Sequence, residues 1–417
     1  MKQNASNLPE LLAPVQNWKT LKFIEKIPDS LYFGVQDFNM RLNAQNFKKE
    51  ELRKIVEYCH SQEPPLKAYL CTNILIYNSE LQELRNIIRE AKLAEIDAII
   101  AHDIAAIEYA REFDINFHIS TQANVSNIIS AHFYENLGAE RIILARELSL
   151  NQIKEIKSSL KSTEIETFIH GSMCTSISGR CYLSATIKGS SEYSANRGTC
   201  VQPCRREWKL IDDQNNELIY DGEMFLNAKD LCMIEYIPEL IDANIDAFKI
   251  EGRMKDPVYV RTVCECYKEA LISYYDNTYS QEKIDDWIKR LSKIYNRGFH
   301  TGFYFQRPSL DQIQFDKRGN ISPWKKEYIG RILSFNKNSK TANILIENNN
   351  IKLQEGEELL IENKDSIKID KLKKILLKGK RVKSLELSDK KSSFEINISI
   401  NNETIRGNKV YKFSKIS

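Results

Sequence analysis

The stretch Lys67-Ala-Tyr-Leu-Cys-Thr-Asn-Ile74, followed by Glu80 to Ala94 and then by Ala98-Ile-Ile-Ala-His102, decides the fold. The outer two runs are short and apolar, and the middle segment carries apolar residues at three- and four-residue spacing. That is the pattern of parallel strands joined by a crossover helix. Outward from it the pattern repeats. Leu11 to Ala13 and Leu31 to Val35 read as strands on the N-terminal side, with Glu50 to Cys59 as a helix. On the C-terminal side Asn116 to Ser120, Arg141 to Leu144, Ile165 to Ile169 and Ala247 to Ile250 read as strands, and Asn151 to Leu160 as a helix. Eight strands in alternation predict an α/β fold, a TIM-type (β/α) barrel over residues 1–256, with its chemistry at the C-terminal strand ends.

The regularity breaks over residues 172–231, a stretch rich in Gly, Ser, Cys and Arg that separates the seventh strand from the eighth. An insertion of that length inside a compact domain is functional or disordered. Within it, Trp208 to Ile211 and Glu217 to Tyr220 flank a polar turn and predict a hairpin. Pro257 to Asp276 and Lys283 to Tyr295 read as two helices in an extension over 257–327. Residues 328–417 change character, to short strand-like runs at Ile329 to Ser334, Thr341 to Glu347, Glu358 to Ile361 and Phe394 to Ile400. These predict a small, lysine-rich β-barrel domain. Its run Lys371 to Lys383 is either an RNA-facing surface or a solvated lysine face.

The 417 residues divide into 42% hydrophobic and 28% charged, as expected of a folded soluble chain. The net charge of +3 gives no global field that would draw the molecule to a polyanion, so any nucleic-acid contact must be local. Met1 to Pro14 has no basic segment followed by an apolar run, and nowhere do about 18 apolar residues run together. The expectation is a cytoplasmic protein with no membrane contact.

Nine cysteines in a reducing compartment read as thiols or metal ligands rather than disulfides. Four fall as C-x6-C-x18-C-x3-C, at Cys174, Cys181, Cys200 and Cys204, all in the insertion. Four thiolates complete either a tetrahedral zinc site or an iron-sulfur cluster. Zinc ribbons bring paired C-x2-C knuckles, so the wide, uneven gaps here favour a cluster. Cys59, Cys71, Cys264 and Cys266 have apolar neighbours and read as buried thiols. Cys232, at the start of an expected helix, could approach the barrel mouth.

Polar residues gather at the strand ends. His118, Ser120, Gln122 and Asn124 alternate, which places them on one face if the fifth strand continues. Arg146 and Glu147 end the sixth strand, Glu166 and His170 lie on the seventh, and Lys249, Glu251 and Arg253 on the eighth. Inner barrel layers are normally apolar, so polar groups at several strand tops favour a site. Arg146 or Arg253 could hold a carboxylate bidentately, which makes a small dicarboxylate a plausible co-substrate. His170, Glu166 and His118 are the candidate catalytic side chains. Glu166 and Arg253 pairing as structural ions, or His118 as a satisfied core histidine, are the bland alternatives. Tyr182, Tyr193 and Trp208 could stack an exposed base.

Phe168-Ile-His-Gly-Ser-Met-Cys174-Thr-Ser-Ile-Ser-Gly-Arg-Cys181 and Asn196-Arg-Gly-Thr-Cys200-Val-Gln-Pro-Cys204 resemble the signature of the peptidase U32 family. Glu10-Leu-Leu-Ala-Pro14, Ser120-Thr-Gln-Ala-Asn124, Ala145-Arg-Glu-Leu-Ser149, Ala228-Lys-Asp-Leu231 and Phe248-Lys-Ile-Glu-Gly-Arg253 resemble its other blocks, in order. The family was catalogued as collagenase-like peptidases. The resemblance is greatest to members that hydroxylate tRNA without molecular oxygen. It implies a 4Fe-4S cluster on Cys174, Cys181, Cys200 and Cys204, prephenate as oxygen source, and the wobble uridine of the anticodon region converted to 5-hydroxyuridine. Some relatives act on 23S rRNA or ubiquinone precursors, and some of the latter use a later cysteine as ligand, which keeps Cys232 in reserve. The older family name implies instead a peptidase with Cys174 as nucleophile and His170 as base. A zinc-holding RNA-binding module is a third reading. An accessory protein partner is left open.

Overall fold

The computed structural model describes residues 8–177, 180–217, 224, 226–307, 309–348, 350–387, 394–401 and 403–416. They form two units, Met1–Ile321 and Ser322–Ser417. Among the described residues no helix is long and apolar enough to cross a membrane.

The first unit is a closed parallel barrel. Its strands are β1 (Glu10–Pro14), β2 (Ser30–Phe33), β3 (Lys67–Thr72), β4 (Ala98–Ala101), β5 (Phe117–Ile119), β6 (Arg141–Ile143) and β7 (Glu164–Ser172). Beyond β8 (Asp230–Cys232), the strand β9 (Ala247–Ile250) closes the ring, pairing with β1 on one side and β7 on the other. The eight strands expected from the alternation are the eight of this ring.

Around it lie α1 (Trp18–Ile24), α2 (Leu52–His60), α3 (Leu81–Leu93), α4 (Ile104–Glu112), α5 (Ile128–Asn136) and α6 (Leu150–Ser159). After the short α7 (Leu183–Lys188) of the insertion come α8 (Ile237–Asp242), α9 (Pro257–Tyr275) and α10 (Gln281–Lys293). Each crossover helix buries one face. On α3 it is Leu84, Ile87, Ile88 and Ala91, the three- and four-residue spacing that keeps side chains on one stripe. Starts are set by capping side chains: Asp103 accepts from Ala105 N at 3.0 Å, and Ser149 and Gln152 form a capping box.

Three expectations change. The helix α9 is not a separate extension: it follows β9 within the barrel unit and is the eighth helix of the outer layer. Asp256 caps it, Pro257 starts it, Arg261 donates to Phe23 O at 2.9 Å beside α1, and Tyr267 donates to Ile169 O at 2.9 Å on β7. The fifth strand stops at Ile119, because the Ser120 hydroxyl accepts from Gln122 N and turns the chain into a 3-10 turn. Cys232 starts no helix but ends β8, which runs antiparallel to an extended β7, with Gly171 opposite Leu231. Gly171 is required there. Its φ is +109°, and a Cβ would stand 2.4 Å from Glu251 O. β10 (Phe299–His300) then pairs with β8. Of the expected hairpin, Ile211 bridges Glu217 around Asp212, and Leu218 to Tyr220 lie outside the described residues.

The second unit begins at Ser322, a few residues before the expected 328. It is a curled antiparallel sheet of β11 (Trp324–Asn336), β12 (Thr341–Ile346), β14 (Glu358–Glu362), β15 (Ile367–Lys371), β16 (Lys374–Leu377), β17 (Lys380–Val382), β19 (Phe394–Ser399) and β20 (Lys409–Lys415). A separate ladder joins β13 (Ile351–Gln354) to β18 (Ser384–Leu387). The strand order is β15-β14-β20-β11-β12-β19-β16-β17, and among the described residues no ladder joins its two edges. Ile332, Ile344, Ile398 and Val410 fill its core, each at most 1% exposed.

Candidate active site

The C-terminal ends of the barrel strands open into two adjoining chambers. The outer one is lined by all four cysteines of the insertion motif, Cys174, Cys181, Cys200 and Cys204. Cys174 lies two residues past the end of β7 and is exposed, while the other three are half-buried. The insertion is folded back so that all four line this one chamber. Gly198, at φ +82°, lets the turn before Cys200 lie against the backbone of Asn39 and Met40, where a Cβ would meet Asn39 O at 2.3 Å. Leu42 N donates to Gly198 O at 3.2 Å. Cys181 N donates to Asn196 Oδ1 at 3.1 Å, and Val201 N to Ser184 Oγ at 3.1 Å. Pro203 starts a one-turn 3-10 helix that holds Cys204. Trp208 donates from Nε1 to Pro203 O at 2.9 Å, so it packs the insertion.

The donor set is suited to a cationic group. Burial pushes the Cys204 thiol up, Arg205 beside it works in the opposite sense, and the charges of Cys174, Cys200 and Cys181 raise it further. Four thiolates here would repel one another without a cation among them. Among the described residues, no three His, Cys, Asp or Glu side chains stand together as ligands of one metal ion.

Four arginines share the wall of this chamber: Arg41, Arg146, Arg205 and Arg297. Arg205 ties the insertion to the barrel, donating to Asn227 Oδ1 at 3.1 Å and to the carbonyls of Ala228 and Met173. Arg297 donates to Ser172 Oγ at 2.7 Å and Asp230 Oδ1 at 2.6 Å. The sequence reading missed Arg41, Arg205 and Arg297. Adjacency to Cys204 was a usable signal for Arg205, whereas Arg41 and Arg297 sit in loops with no periodicity.

The inner chamber lies in the barrel itself. Gln122, Arg146, Lys249, Glu251 and Arg253 line it, and it shares Met40, Arg41, Gln122 and Arg146 with the outer one. Three buried polar atoms in its wall have no hydrogen-bond partner among the described residues: Gln122 Oε1, Arg146 Nε and Arg253 Nε. Arg146 lies over the Phe168 ring at 4.2 Å, and Arg253 donates to Asn39 Oδ1 at 2.9 Å and to Asn46 Oδ1. Glu251 is bound by Arg41 at 3.0 Å. Burial would raise the Glu251 carboxyl, but Arg41, Arg146 and Arg253 hold it below the usual range.

Other expected site residues are placed elsewhere. Glu166 is fully buried under the chamber, bound to Lys249 at 2.6 Å and Arg141 at 3.3 Å, so it pairs with these rather than with Arg253. His118 sits among Tyr69, at 4.6 Å between rings, and Glu140, at 2.9 Å. Burial lowers its pKa. His170 is enclosed by Tyr259, Tyr267 and Phe299 and is held at a pKa of about 4 by burial. Neither histidine lines either chamber. Glu147 is half-buried and Asn124 occupies a left-handed turn position, both outside the lining. Cys232 is buried under Tyr267, whose hydroxyl is 3.9 Å from its sulfur, and burial pushes its thiol up to about 12. It is not brought to the other four. Tyr182, 74% exposed, and Tyr193, under Lys188 Nζ at 5.3 Å, stay at the surface of the insertion.

The chain is similar to curated proteins with contrasting names. It is 38% identical to "Uncharacterized protease MJ0090" of Methanocaldococcus jannaschii, over 96% of this chain and 97% of that protein. It is 34% identical to a "Collagenase" of Porphyromonas gingivalis, over 97% and 98%. It is 33% identical to "tRNA hydroxylation protein P1" of Bacillus subtilis, over 81% and 80%. The family model for peptidase family U32 matches residues 16–314, the barrel with its insertion. The chain belongs to peptidase family U32.

Proposed function

We propose that this protein is an RNA hydroxylase, converting the wobble uridine of tRNA to 5-hydroxyuridine without molecular oxygen, with a 4Fe-4S cluster on Cys174, Cys181, Cys200 and Cys204 and prephenate as oxygen source. The observation that carries this reading is the shared wall of the two chambers. A four-cysteine chamber opens directly onto one whose unpartnered donors, on Arg146 and Arg253, suit a small carboxylate. The similarity to a tRNA hydroxylation protein supplies the substrate class. A bound cluster would supply electron transfer next to that carboxylate.

The chain's own residues would bind and orient. Replacing C–H by C–OH is a two-electron oxidation, so the co-substrate that gives the oxygen must leave reduced by two electrons. Arg146 and Arg253 would hold its carboxylates, Lys249 would lie at the floor, and Gln122 would accept from a hydroxyl. Glu251, kept anionic by three arginines, would keep Arg41 in place rather than carry a proton.

A peptidase is the second reading, favoured by the relatives named collagenase and protease. A thiol nucleophile needs a base within hydrogen-bond reach. His170, the base expected for it, bonds Tyr267 at 3.3 Å inside an aromatic enclosure. The deciding experiment incubates protein purified without oxygen with unmodified tRNA and prephenate, followed by mass spectrometry of the nucleosides. 5-Hydroxyuridine dependent on prephenate is the expected product. Its absence, together with cleavage of denatured collagen that Cys174→Ala abolishes, would overturn the proposal in favour of the peptidase. Hydroxylated nucleosides only in 23S rRNA would keep the chemistry and change the substrate.

A further inference from the structure

Charge is divided unequally between the two units. Residues 322–417 hold 21 of the chain's 60 basic side chains but only 12 of its 57 acidic ones, so the barrel unit is acidic on balance. The excess is concentrated further. Between Leu372 and Leu385 there are six basic residues and no acidic one. That segment is the β16–β17 hairpin, in which Ile375 faces Val382, Leu376 faces Arg381 and Leu377 faces Lys380. Ile375 is buried in the core of the unit, whereas Lys373, Lys374, Lys378, Lys380, Arg381 and Lys383 are exposed.

Among the described residues, the carboxylate bonded to this hairpin is Glu355, and it is already engaged. Glu355 binds Arg381 through two contacts, 3.0 and 2.8 Å, and lies near Lys383. Among the described residues no acid pairs with Lys373, Lys374, Lys378 or Lys380. The turn is unusual as well. Lys378 at φ +49° and Gly379 at φ +78° make the doubly left-handed turn that Asn-Gly or Asp-Gly ordinarily supplies. A lysine there adopts an uncommon backbone region and gives up turn preference for a charge at the tip.

Protection of an edge strand is the ordinary reason for lysines on a sheet. It covers β17, which is an edge, but not Lys373 and Lys374, because β16 lies inside the sheet between β19 and β17. We propose that the β16–β17 hairpin, through Lys373, Lys374, Lys378 and Lys380, is a phosphate-binding ridge for RNA. This rests on the RNA reading above. A row of lysines with no acidic partner among the described residues, and without aromatic side chains, tracks a sugar-phosphate backbone and leaves base choice to another surface.

The test measures binding of unmodified tRNA to the full chain over a range of salt. Three proteins are compared: the wild type, a Lys374→Gln, Lys378→Gln, Lys380→Gln variant, and a control with Lys154→Gln, Lys161→Gln, Lys289→Gln, which removes equal charge from the barrel unit. The hairpin variant should lower the slope of log affinity against log salt by about 2 to 3, while the control barely changes it. Equal slopes for wild type and hairpin variant, or equal losses in variant and control, would overturn the ridge and leave the RNA reading intact. No binding of tRNA or rRNA by the wild type would remove both. Preference for anionic vesicles over RNA, lost in the hairpin variant, would overturn RNA as the partner of the ridge.

Discussion

Lys249 Nζ lies 2.6 Å from Glu166 Oε1, with both side chains buried. Glu166 also meets Arg141 at 3.3 Å, and Arg141 continues to Glu10 at 2.9 Å and Glu164 at 2.6 Å. The barrel interior therefore contains a column of paired charges that ends at the floor of the inner chamber. Removing one member leaves a buried cation uncompensated, which costs far more than the pair contributes over an apolar replacement. Glu166→Leu should destabilise the barrel by about 3–5 kcal/mol in urea unfolding, and adding Lys249→Met should recover much of that loss. A single-variant cost below about 1 kcal/mol would mean that water or rearrangement satisfies Lys249.

His170 makes stability depend on pH. An unfolded histidine titrates near 6.5 and the enclosed ring near 4, lowered chiefly by burial. Between those values the unfolded chain binds a proton that the folded chain refuses, so stability falls as pH drops from about 6.5 towards 4. The His170 share of that fall should approach about 3 kcal/mol. His118, His102 and His300 are lowered in the same direction by burial, so the test is a difference: wild type against His170→Phe, unfolded at pH 7 and at pH 5. The variant should lose less stability over that interval. An identical loss would show that His170 stays solvated.

The ring strands were legible because a buried parallel strand must be a short apolar run and a crossover helix must carry a stripe. Ala98–Ala101 and α3 satisfy both rules locally. What failed was decided by contacts distant in sequence. Helix α9 shows a helical pattern wherever it packs, and long-range contacts such as Arg261 on Phe23 and Tyr267 on Ile169 make it part of the barrel. β8 is three residues long and exists because β7 overruns the ring and offers it an edge. In the site, spacing and resemblance singled out the four cysteines, and all four line one chamber. His118 and His170 were misplaced because strand alternation gives the face of a residue but not its height in the barrel. Arg41 comes from a loop 210 residues before its partner Glu251.

The four motif cysteines and Cys232 should separate in metal content. Under the proposed assignment, Cys174→Ala, Cys181→Ala, Cys200→Ala and Cys204→Ala should each lose most of the iron and the absorption near roughly 400 nm. Cys232 is enclosed beneath Tyr267 with its thiol pushed up to about 12, which suits a neutral packed thiol and not a ligand. Cys232→Ala should keep the iron and cost about 1–3 kcal/mol in stability from the cavity left behind. Iron loss in the Cys232 variant with a folded barrel would exchange it for one of the four. Stoichiometric zinc in the wild type would remove the cluster assignment altogether.

Arg146 is the residue best placed to separate co-substrate binding from structure. Among the described residues its buried Nε has no partner and its one hydrogen bond is a 3.4 Å contact to Ser172 O, while Phe168 supports the guanidinium plane at 4.2 Å. Arg253 is different, since Asn39 and Asn46 hold it and its loss would disturb the β2–α2 loop. A charge-assisted hydrogen bond contributes about 1.5–3 kcal/mol, so Arg146→Gln should weaken binding of prephenate by roughly 10- to 100-fold in calorimetry. Iron content and unfolding midpoint should stay near wild type, because the side chain forms no ion pair among the described residues. Arg146→Lys should recover only part of the affinity, as an ammonium keeps the charge but not the planar fork. Unchanged affinity in both variants would move the carboxylate away from the shared wall and leave Arg253 and Lys249 as its partners.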